Sequence, residues 1–453
     1  MERDAIASRG GTGDRATLSP HHMPVRWHET VTASDGLAVD APIDDKATII
    51  CRAGLLLLSG GTGGWRVRDE MNRIARVLGV TVITDVSLMD IECTVVDGDQ
   101  SFSEVVALPT SGVNTERIWL MEKFTHEVEA IGHELTVQEY HELMDDIEHR
   151  RPNYSPLQAG LASALACAAF VFLLGGGLLE MACAFVGAGV GNYVRRRMLD
   201  HGLNQFFSIG VSVGASCVCY LVSLMLISLG DPNAMTHEAG YIGAMLFVIP
   251  GFPLITSGLD IMQLDMRSGL ERLAYAVSVI VVATLVGWMV ASMVQLWPDD
   301  FVDLGLSPAV MCGLRLVASF CGVFGFSVMF NSTPRMAATA GVIGAVANTL
   351  RLELVSLGGM PPEAAAFLGA LASGLLASAI GRRLGFPRIS LTVPSIVIMV
   401  PGLYMYRAVY YMGSFAVADS MSWLMRAVMI VAFLPLGLAL ARALTDRRWR
   451  HCS

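Results

Sequence analysis

Long apolar runs follow one another along the chain from about residue 158 onward, and only short polar segments separate them. A helix of about 20 apolar residues is long enough to cross a lipid bilayer. The runs predict ten membrane spans, near residues 158–177, 179–195, 207–229, 239–257, 273–296, 308–330, 336–357, 363–381, 389–409 and 421–443. The pattern therefore predicts an all-α polytopic bundle of about ten transmembrane helices in the lipid bilayer.

Two of these spans contain residues that interrupt a regular helix. The fourth and ninth spans carry the expected break residues Pro250, Gly251, Pro253, Pro394, Pro401 and Gly402. Interrupted hydrophobic segments in corresponding places of two halves are the best sequence sign of a transporter binding site. Because each half has five spans, the second half would enter the membrane with the opposite orientation. The spans are thus consistent with a 5+5 inverted repeat.

The first 150 residues have a different pattern. Apolar side chains recur every three or four positions over residues 65–78, which predicts an amphipathic helix that ends at Gly79. Residues 47–57 fit a buried helix or a buried strand equally well. Three strands and two further helices are predicted over residues 80–87, 91–97, 103–108, 115–131 and 136–148. The N-terminal part is therefore expected to form a small α/β domain.

Glycines cluster over residues 59–64, directly before the amphipathic helix. The amino terminus of a helix can bind phosphate, but this cluster lacks the lysine and hydroxyl residue of a P-loop, so a tight turn is the favoured interpretation. No nucleophile and base stand together in the domain. Its histidines lie on acidic helical sequence and are expected to be mostly solvated, namely His126, His133, His141 and His149. We predict no enzyme activity, no cofactor and no metal site.

Charge is distributed unevenly along the 453 residues, of which 53% are hydrophobic and 16% charged. Arginines follow the second, fourth, sixth, eighth and tenth spans, whereas the opposite loops are acidic or nearly uncharged; Arg407 and Arg426 are exceptions. Because positively charged loops stay in the cytoplasm, both termini are predicted to be cytoplasmic. The first thirty residues are polar and lack the apolar segment of a signal peptide.

These patterns divide the chain into five parts. We expect a disordered tail over residues 1–45 and a cytosolic α/β domain over residues 46–152. Two transmembrane halves of five helices each would follow over residues 153–300 and 301–446. A short cytosolic tail would occupy residues 447–453.

Charged residues in or beside the spans are the candidates for transport, because a charge near the bilayer centre costs about 3 kcal/mol or more. Asp260 and Asp265 follow the first helix break, and Asp260 is the first choice. It would take part in proton coupling or bind the ammonium group of a substrate. The alternative is a carboxylate at the cytoplasmic surface that pairs with Arg267 or Arg272.

Other charged residues have two interpretations each. Glu180 either couples protons or lies at the outer interface. Arg315 would pair with a carboxylate in the bundle or bind a substrate carboxylate, and Arg407 would hold a carboxylate or anchor its helix at the outer interface. Arg351 and Glu353 are two positions apart, do not share a helix face, and are expected to contact different neighbours.

Several segments resemble the threonine/serine exporter family of bacterial membrane proteins. They are LLLLSGGTGGWRVRDEMNRIARVLGV, RRRMLDHGLNQFF, FVIPGFPLITSGLDIMQLDMRSGLERL, FNSTPRMAATAGVIGA and GRRLGFPRISLTVPSIVIMVPGLYMYRAVYYM. They occur in the family's order from about residue 50 to the end, although Gln205 stands where the family often has proline. The resemblance matches Asp260, Asp265 and Arg407 to family motif positions, and the family often has an acid at the position of Glu180.

The resemblance implies a cytosolic domain followed by ten spans, and export of threonine and serine by proton antiport across the bacterial inner membrane. Related two-subunit proteins are linked to dicarboxylates, so export of succinate-like molecules is an alternative. A membrane-anchored sensor or hydrolase is a further alternative. The expected partners are a small-molecule substrate, protons and lipid. A homo-oligomer is one option, and no nucleic acid is expected.

Overall fold

The computed structural model describes residues 25, 27–30, 36–110, 112–230, 232–298, 300–302 and 304–450. The tail expected over residues 1–45 lies outside the described residues, apart from positions 25, 27–30 and 36–45. Near the end of this segment the chain packs on the N-terminal domain, since Leu37 forms an antiparallel bridge with Thr136 and Ala38 is fully buried.

The N-terminal domain combines helices with a three-stranded sheet. Its elements are α1 (Trp27–Thr30), α2 (Ile43–Ser59), α3 (Gly64–Val77), β1 (Thr81–Val86), β2 (Asp90–Asp97), β3 (Gln100–Ala107), α4 (Thr115–Ile131) and α5 (Val137–Glu148). The strands form an antiparallel meander in the order β1-β2-β3. The predicted α/β domain is confirmed, and the segment that fitted either a helix or a strand belongs to α2.

Helix α2 is the centre of this domain, because the sheet and helices α3, α4 and α5 all pack against it. A methyl group at Gly54 would lie 2.5 Å from Sδ of Met71 and 3.1 Å from Cδ1 of Ile91. The close approach of α3 and β2 to α2 therefore requires glycine at this position. The domain's last helix is started by a capping box between Thr136 and Glu139.

His141 is fully buried between α5 and α2, so the expectation that it is solvated is wrong. Its Nδ1 lies 3.1 Å from Nη1 of Arg52, and its Nε2 lies 3.3 Å from Oγ1 of Thr48. Burial and the adjacent Arg52 guanidinium lower the pKa of His141 to about 4. The imidazole is therefore neutral at pH 7, and it serves the packing of the domain core.

Helices form the rest of the described chain. They are α6 (Pro156–Leu173), α7 (Leu178–Asp200), α8 (Gln205–Ser228), α9 (Tyr241–Met245), α10 (Gly251–Met262), α11 (Met266–Val294), α12 (Pro308–Met329), α13 (Pro334–Ser356), α14 (Pro362–Leu384), α15 (Arg388–Val397), α16 (Gly402–Gly413), α17 (Val417–Thr445) and α18 (Arg447–Arg450). Among the described residues, seven helices are long and apolar enough to span a membrane, and the count reaches nine if each of two bent pairs is one span. The polytopic bundle is confirmed.

The second predicted span, near residues 179–195, corresponds to α7, which is not among those nine. This helix has 23 residues and packs between α6 and α8, so its length suits a span. Its composition is less apolar, because it contains Glu180 and Asn192 and ends near three consecutive arginines. Both Glu180 and Asn192 are buried against neighbouring helices, which is how a polar helix is accommodated in the bundle.

The two bent pairs are broken by the same backbone turn. The segments 234–248 and 251–262 meet at 56°, and the segments 388–397 and 402–413 meet at 48°. Pro250 has φ −82° and ψ 62°, and Pro401 has φ −81° and ψ 53°. In each case the following glycine N–H donates to the carbonyl two residues back, at 2.8 Å and 2.9 Å. Both breaks are therefore inverse γ-turns centred on proline.

Pro253 and Pro394, which we expected to break helices, lie inside helices instead. Pro253 is in the first turn of α10, where a helix has no internal acceptor for the backbone N–H, so proline is tolerated there. Pro394 is the seventh residue of α15, which continues to Val397. The two prolines were wrongly predicted as breaks because only the prolines at the turns, Pro250 and Pro401, interrupt the helices.

The segments around the two breaks repeat at a fixed interval. Each position of α10 and α11 has its counterpart 151 residues later in α16 and α17, which have the same lengths of 12 and 29 residues. The linkers also match, since Leu264 and Phe415 both have positive φ, at 61° and 59°. Sequence identity between the halves is low, so the repeat is clearer in the backbone structure than in the sequence.

Candidate functional site

The two breaks touch each other in the middle of the bundle. A methyl group at Gly251 would lie 3.2 Å from Val400 and 3.3 Å from Val397, and one at Gly402 would lie 2.7 Å from Leu246. Leu246 is the counterpart of Val397 in the repeat, so the contacts are reciprocal. Reciprocal contacts of this kind are what a two-fold axis between the halves produces. The breaks also border a small cavity, which is lined by apolar residues and glycines.

Asp260 lies in the last turn of α10 and is fully buried where the bundle meets the N-terminal domain. Its Oδ2 accepts hydrogen bonds from Gly64 N at 3.1 Å and from Ser268 Oγ at 2.9 Å. The same oxygen lies 3.4 Å from Nε of Arg272, which donates in turn to the carbonyl of Gly61 at 3.1 Å. One oxygen of this buried carboxylate is thus satisfied, and the other, Oδ1, is buried without a hydrogen-bond partner among the described residues.

The glycine cluster forms a turn before α3, as the favoured interpretation predicted. This turn brings the start of α3 to Asp260, a contact that was not predicted. Gly63 precedes α3, and Gly64 presents its N–H to the carboxylate from the first turn. A carboxylate at a helix amino terminus is stabilised by the free N–H groups and the helix dipole. A methyl group at Gly63 would overlap with Oδ1 of Asp260, and one at Gly64 would lie 2.7 Å from Oγ of Ser268. The anion at this helix is therefore a side chain of the bundle.

Ion pairs extend the contact between the N-terminal domain and the first half of the bundle. Arg68 of α3 donates to Oδ1 of Asp265 at 2.9 Å. Arg267 of α11 lies 3.4 Å or less from carboxylates on the sheet of the domain, namely Asp85, Asp90 and Glu92. These partners were not predicted, because sequence reasoning paired the acids with arginines of the bundle itself.

The second half of the bundle contacts the same domain through α4. Thr115 donates its backbone N–H to the carbonyl of Phe330 at 3.0 Å, and its hydroxyl lies 2.7 Å from Oγ of Ser332. The indole N–H of Trp119 donates to the carbonyl of Gly385 at 3.0 Å. The domain therefore joins both halves at one end of the bundle.

A second cavity lies between α3 and the bundle, and Asp260 is part of its lining. Unlike that of the central cavity, its lining includes charged and hydroxyl side chains, namely Thr256, Asp260, Arg388, Thr392 and Arg442, together with Trp65, a glycine and apolar residues. The guanidinium of Arg442 lies 4.1 Å from the centroid of the Trp65 ring. One carboxylate and two guanidinium groups thus border the same cavity.

Glu180 lies elsewhere, in the first turn of α7. It is buried, its Oε2 accepts a hydrogen bond from Gly177 N at 2.9 Å, and its Oε1 lies 2.6 Å from Nδ1 of His237. The side chain therefore caps its own helix and ties it to the segment that precedes the first break.

The two candidate arginines, Arg315 and Arg407, are each paired with a carboxylate of the protein. Arg315 donates to Oε1 of Glu353 at 2.9 Å, while Arg351 contacts the carbonyl of Met399 at 3.4 Å just before the second break. Arg351 and Glu353 thus have different neighbours, as predicted. Arg407 is buried, donates to Asp300 at 2.8 Å and stacks 4.8 Å from the ring centroid of Trp423.

Of the five charged candidates, the structure brings together only Asp260 and Asp265, which both contact α3. The groups that sequence reasoning missed are Arg388, which it counted as a loop charge, Arg442, which it left aside, and Trp65, which it placed at the start of the amphipathic helix. Nothing in their spacing points to a shared cavity, because they come from three distant segments.

Comparison with known proteins identifies related sequences over most of the chain. Residues 48–295 match the family described as "Putative threonine/serine exporter", and residues 315–444 match the family described as "Threonine/Serine exporter, ThrE". No solved structure matches the chain.

Individual relatives carry different names. The chain is 24% identical over 397 residues to the "Probable threonine/serine exporter" of Mycobacterium tuberculosis, which covers 83% of the chain and 72% of that protein. It is 26% identical over 253 residues to the "Probable succinate transporter subunit YjjP" of Escherichia coli, which covers 54% of the chain and 93% of that protein. A yeast protein, the "Pheromone-regulated membrane protein 10" of Pichia sorbitophila, is 24% identical over 261 residues, 53% of the chain and 24% of its own length.

Proposed function

The chain belongs to the threonine/serine exporter family, and from this premise we propose that it exports small amino acids such as threonine and serine from the cytoplasm by proton antiport. The observation that carries the proposal is the pair of matched helix breaks, which contact each other reciprocally and border one cavity. Two half-structures that meet at such breaks can rock against each other and expose a site alternately to the two sides of the membrane.

Asp260 is the proposed coupling residue. In its ionised form, Oδ2 is held by Gly64 N–H, by Ser268 and by Arg272, whereas the buried Oδ1 has no hydrogen-bond partner among the described residues. A substrate ammonium group and a proton would therefore compete for the same carboxylate. Such competition links the release of substrate to the uptake of a proton, which is the requirement for antiport.

The orientation is also part of the proposal. The chain is a multi-pass membrane protein, and its arginine-rich loops favour cytoplasmic termini in the inner membrane of a bacterium. The N-terminal domain and the second cavity would then face the cytoplasm, where an exporter collects its substrate.

Export of a small dicarboxylate is the second candidate. The two guanidinium groups of the second cavity, Arg388 and Arg442, suit a dianion, and one relative is named as a probable succinate transporter subunit. Arg315 and Arg407 do not add to this candidate, because each is already paired with a carboxylate of the protein.

The test is efflux of radiolabelled threonine and succinate from a bacterial strain that lacks other exporters. We expect the wild-type chain to export threonine, a protonophore to abolish the efflux, and Asp260→Asn to lose proton-driven efflux. Asp99→Asn, in the exposed turn between β2 and β3, is the matched control and should export normally. Efflux of succinate without threonine would replace the first candidate by the second, and efflux of neither would overturn both.

A further inference from the structure

We propose that the second cavity binds the zwitterionic head group of the substrate, so that the N-terminal domain forms one wall of the transport site. This inference rests on the proposed export of amino acids and names the place where the substrate binds. The central cavity between the two breaks is lined by apolar side chains and glycines. None of the described residues that line it is charged, so an ammonium group buried there would lack a counter-charge, at a cost of several kcal/mol.

The charges of the second cavity match a zwitterion. Asp260 is fully buried and its Oδ1 is unpartnered among the described residues, so it can accept hydrogen bonds from an ammonium group. Arg388 donates to Oγ1 of Thr445 at 2.8 Å and to the carbonyl of Gly374 at 3.2 Å, two neutral acceptors. A guanidinium with neutral partners retains its charge for a carboxylate ligand, which it binds through parallel N–H groups.

Arg442 adds a second cation whose position depends on the N-terminal domain. Its guanidinium stacks on the ring of Trp65 and lies 3.6 Å from Asp446. Trp65 follows directly after Gly63 and Gly64, the residues that contact Asp260. One short segment of the domain therefore touches both the negative and the positive side of the cavity.

Two hydroxyl groups account for a preference for threonine and serine. Thr256 donates to the carbonyl of Phe252 at 3.0 Å, and Thr392 donates to the carbonyl of Arg388 at 3.0 Å. Their protons are engaged within their own helices, so their oxygens remain acceptors toward the cavity. A substrate hydroxyl can donate to either of them.

The test is direct binding of radiolabelled threonine to the purified full-length protein in lipid nanodiscs. Threonine amide lacks the carboxylate and N-acetylthreonine lacks the ammonium group. Competition with each compound therefore tests the carboxylate-binding and the ammonium-binding groups of the site separately. We expect Arg388→Gln to weaken threonine binding about tenfold or more and to remove the preference for threonine over its amide. Trp65→Phe, which keeps a ring beneath Arg442, should weaken binding less than Arg388→Gln.

A matched control separates binding from docking of the domain. Arg267→Gln removes ion pairs between the bundle and the sheet outside the cavity and should leave threonine affinity unchanged. The inference is overturned if Arg388→Gln binds threonine like the wild type, if Arg267→Gln causes the same loss, or if inorganic phosphate competes as well as threonine does.

The outcomes also separate this inference from the proposed function. If wild-type cells do not export threonine, the proposed function fails. If they do export it, and Arg388→Gln and Trp65→Phe leave the KM of efflux unchanged, only the assignment of the cavity fails.

Discussion

The ion pair between Asp260 and Arg272 gives a quantitative test of the contact between domain and bundle. Both side chains are buried, with exposures of 0% and 3%, and the pair is 3.4 Å apart. We consider Asp260→Asn, Arg272→Met and the double variant, because methionine fills much of the volume of the arginine stem without its charge.

The expected magnitude follows from this geometry. Two unit charges 3.4 Å apart attract by about 5 kcal/mol at an effective dielectric constant of about 20. Desolvation offsets most of that attraction, but removal of one partner from a buried pair costs about 3–5 kcal/mol because the other charge stays behind. We expect Asp260→Asn to lower the free energy of unfolding by about 3 kcal/mol, the lower end of this range, because the amide oxygen still accepts the hydrogen bond from Gly64. The double variant should lose about 2–3 kcal/mol less than the sum of the single variants.

The assay is unfolding of the full-length protein by SDS in mixed micelles, followed by circular dichroism. The exposed pair Lys123 and Glu127 is the control cycle, with an expected coupling of at most about 0.5 kcal/mol because both side chains are 59% exposed. If the energies of the Asp260 and Arg272 variants simply add, the two residues are not coupled and the reasoning is refuted.

Three further predictions concern other parts of the chain. The pKa of His141 is about 4 in the folded chain, against about 6.5 in the unfolded chain, so the unfolded chain binds the proton first as pH falls. The free energy of unfolding should therefore fall by about 3 kcal/mol between pH 6.5 and pH 4. Hydrogen exchange of α2 and α5, corrected for intrinsic rates, should show this loss, and His141→Gln should reduce it. Gly63→Ala should impair export, because its methyl group would overlap with the Asp260 carboxylate, whereas Gly112→Ala meets nothing within 4 Å and should export normally; equal efflux rates would contradict the role of the turn. Pro250→Ala and Pro401→Ala should slow export to a similar degree, since they alter equivalent γ-turns. Efflux kinetics measures this, and an effect of only one substitution would argue against equivalent roles of the two halves.

Local patterns were sufficient for most of the fold. Apolar runs located the bundle, and the spacing of apolar residues located the amphipathic helix that the structure has over Gly64–Val77. The prolines at 250 and 401 located the two breaks, because a missing N–H acts within one turn of the chain. Pro253 and Pro394 show the limit of the rule, since the effect of a proline depends on its position relative to the start of the helix.

The candidate site could not be predicted to the same degree. Asp260 was identifiable as a charge beside an interrupted span, but its partner Gly64 is 196 residues away in another domain. The sequence pattern of His141 is that of an acidic surface helix, and only the packing of α5 on α2 buries it. Contacts between distant segments depend on how the domain docks, and no spacing within a single segment encodes that arrangement.

The central claim is that proton movement through this protein drives the export of a small amino acid. The most direct test uses proteoliposomes with the purified full-length chain and an acidic interior. Because antiport is reversible, protein in either orientation should accumulate radiolabelled threonine as protons leave. We predict accumulation that a protonophore collapses and that Asp260→Asn lacks. Threonine uptake that is the same with and without the pH gradient, or accumulation of succinate alone, would contradict the account.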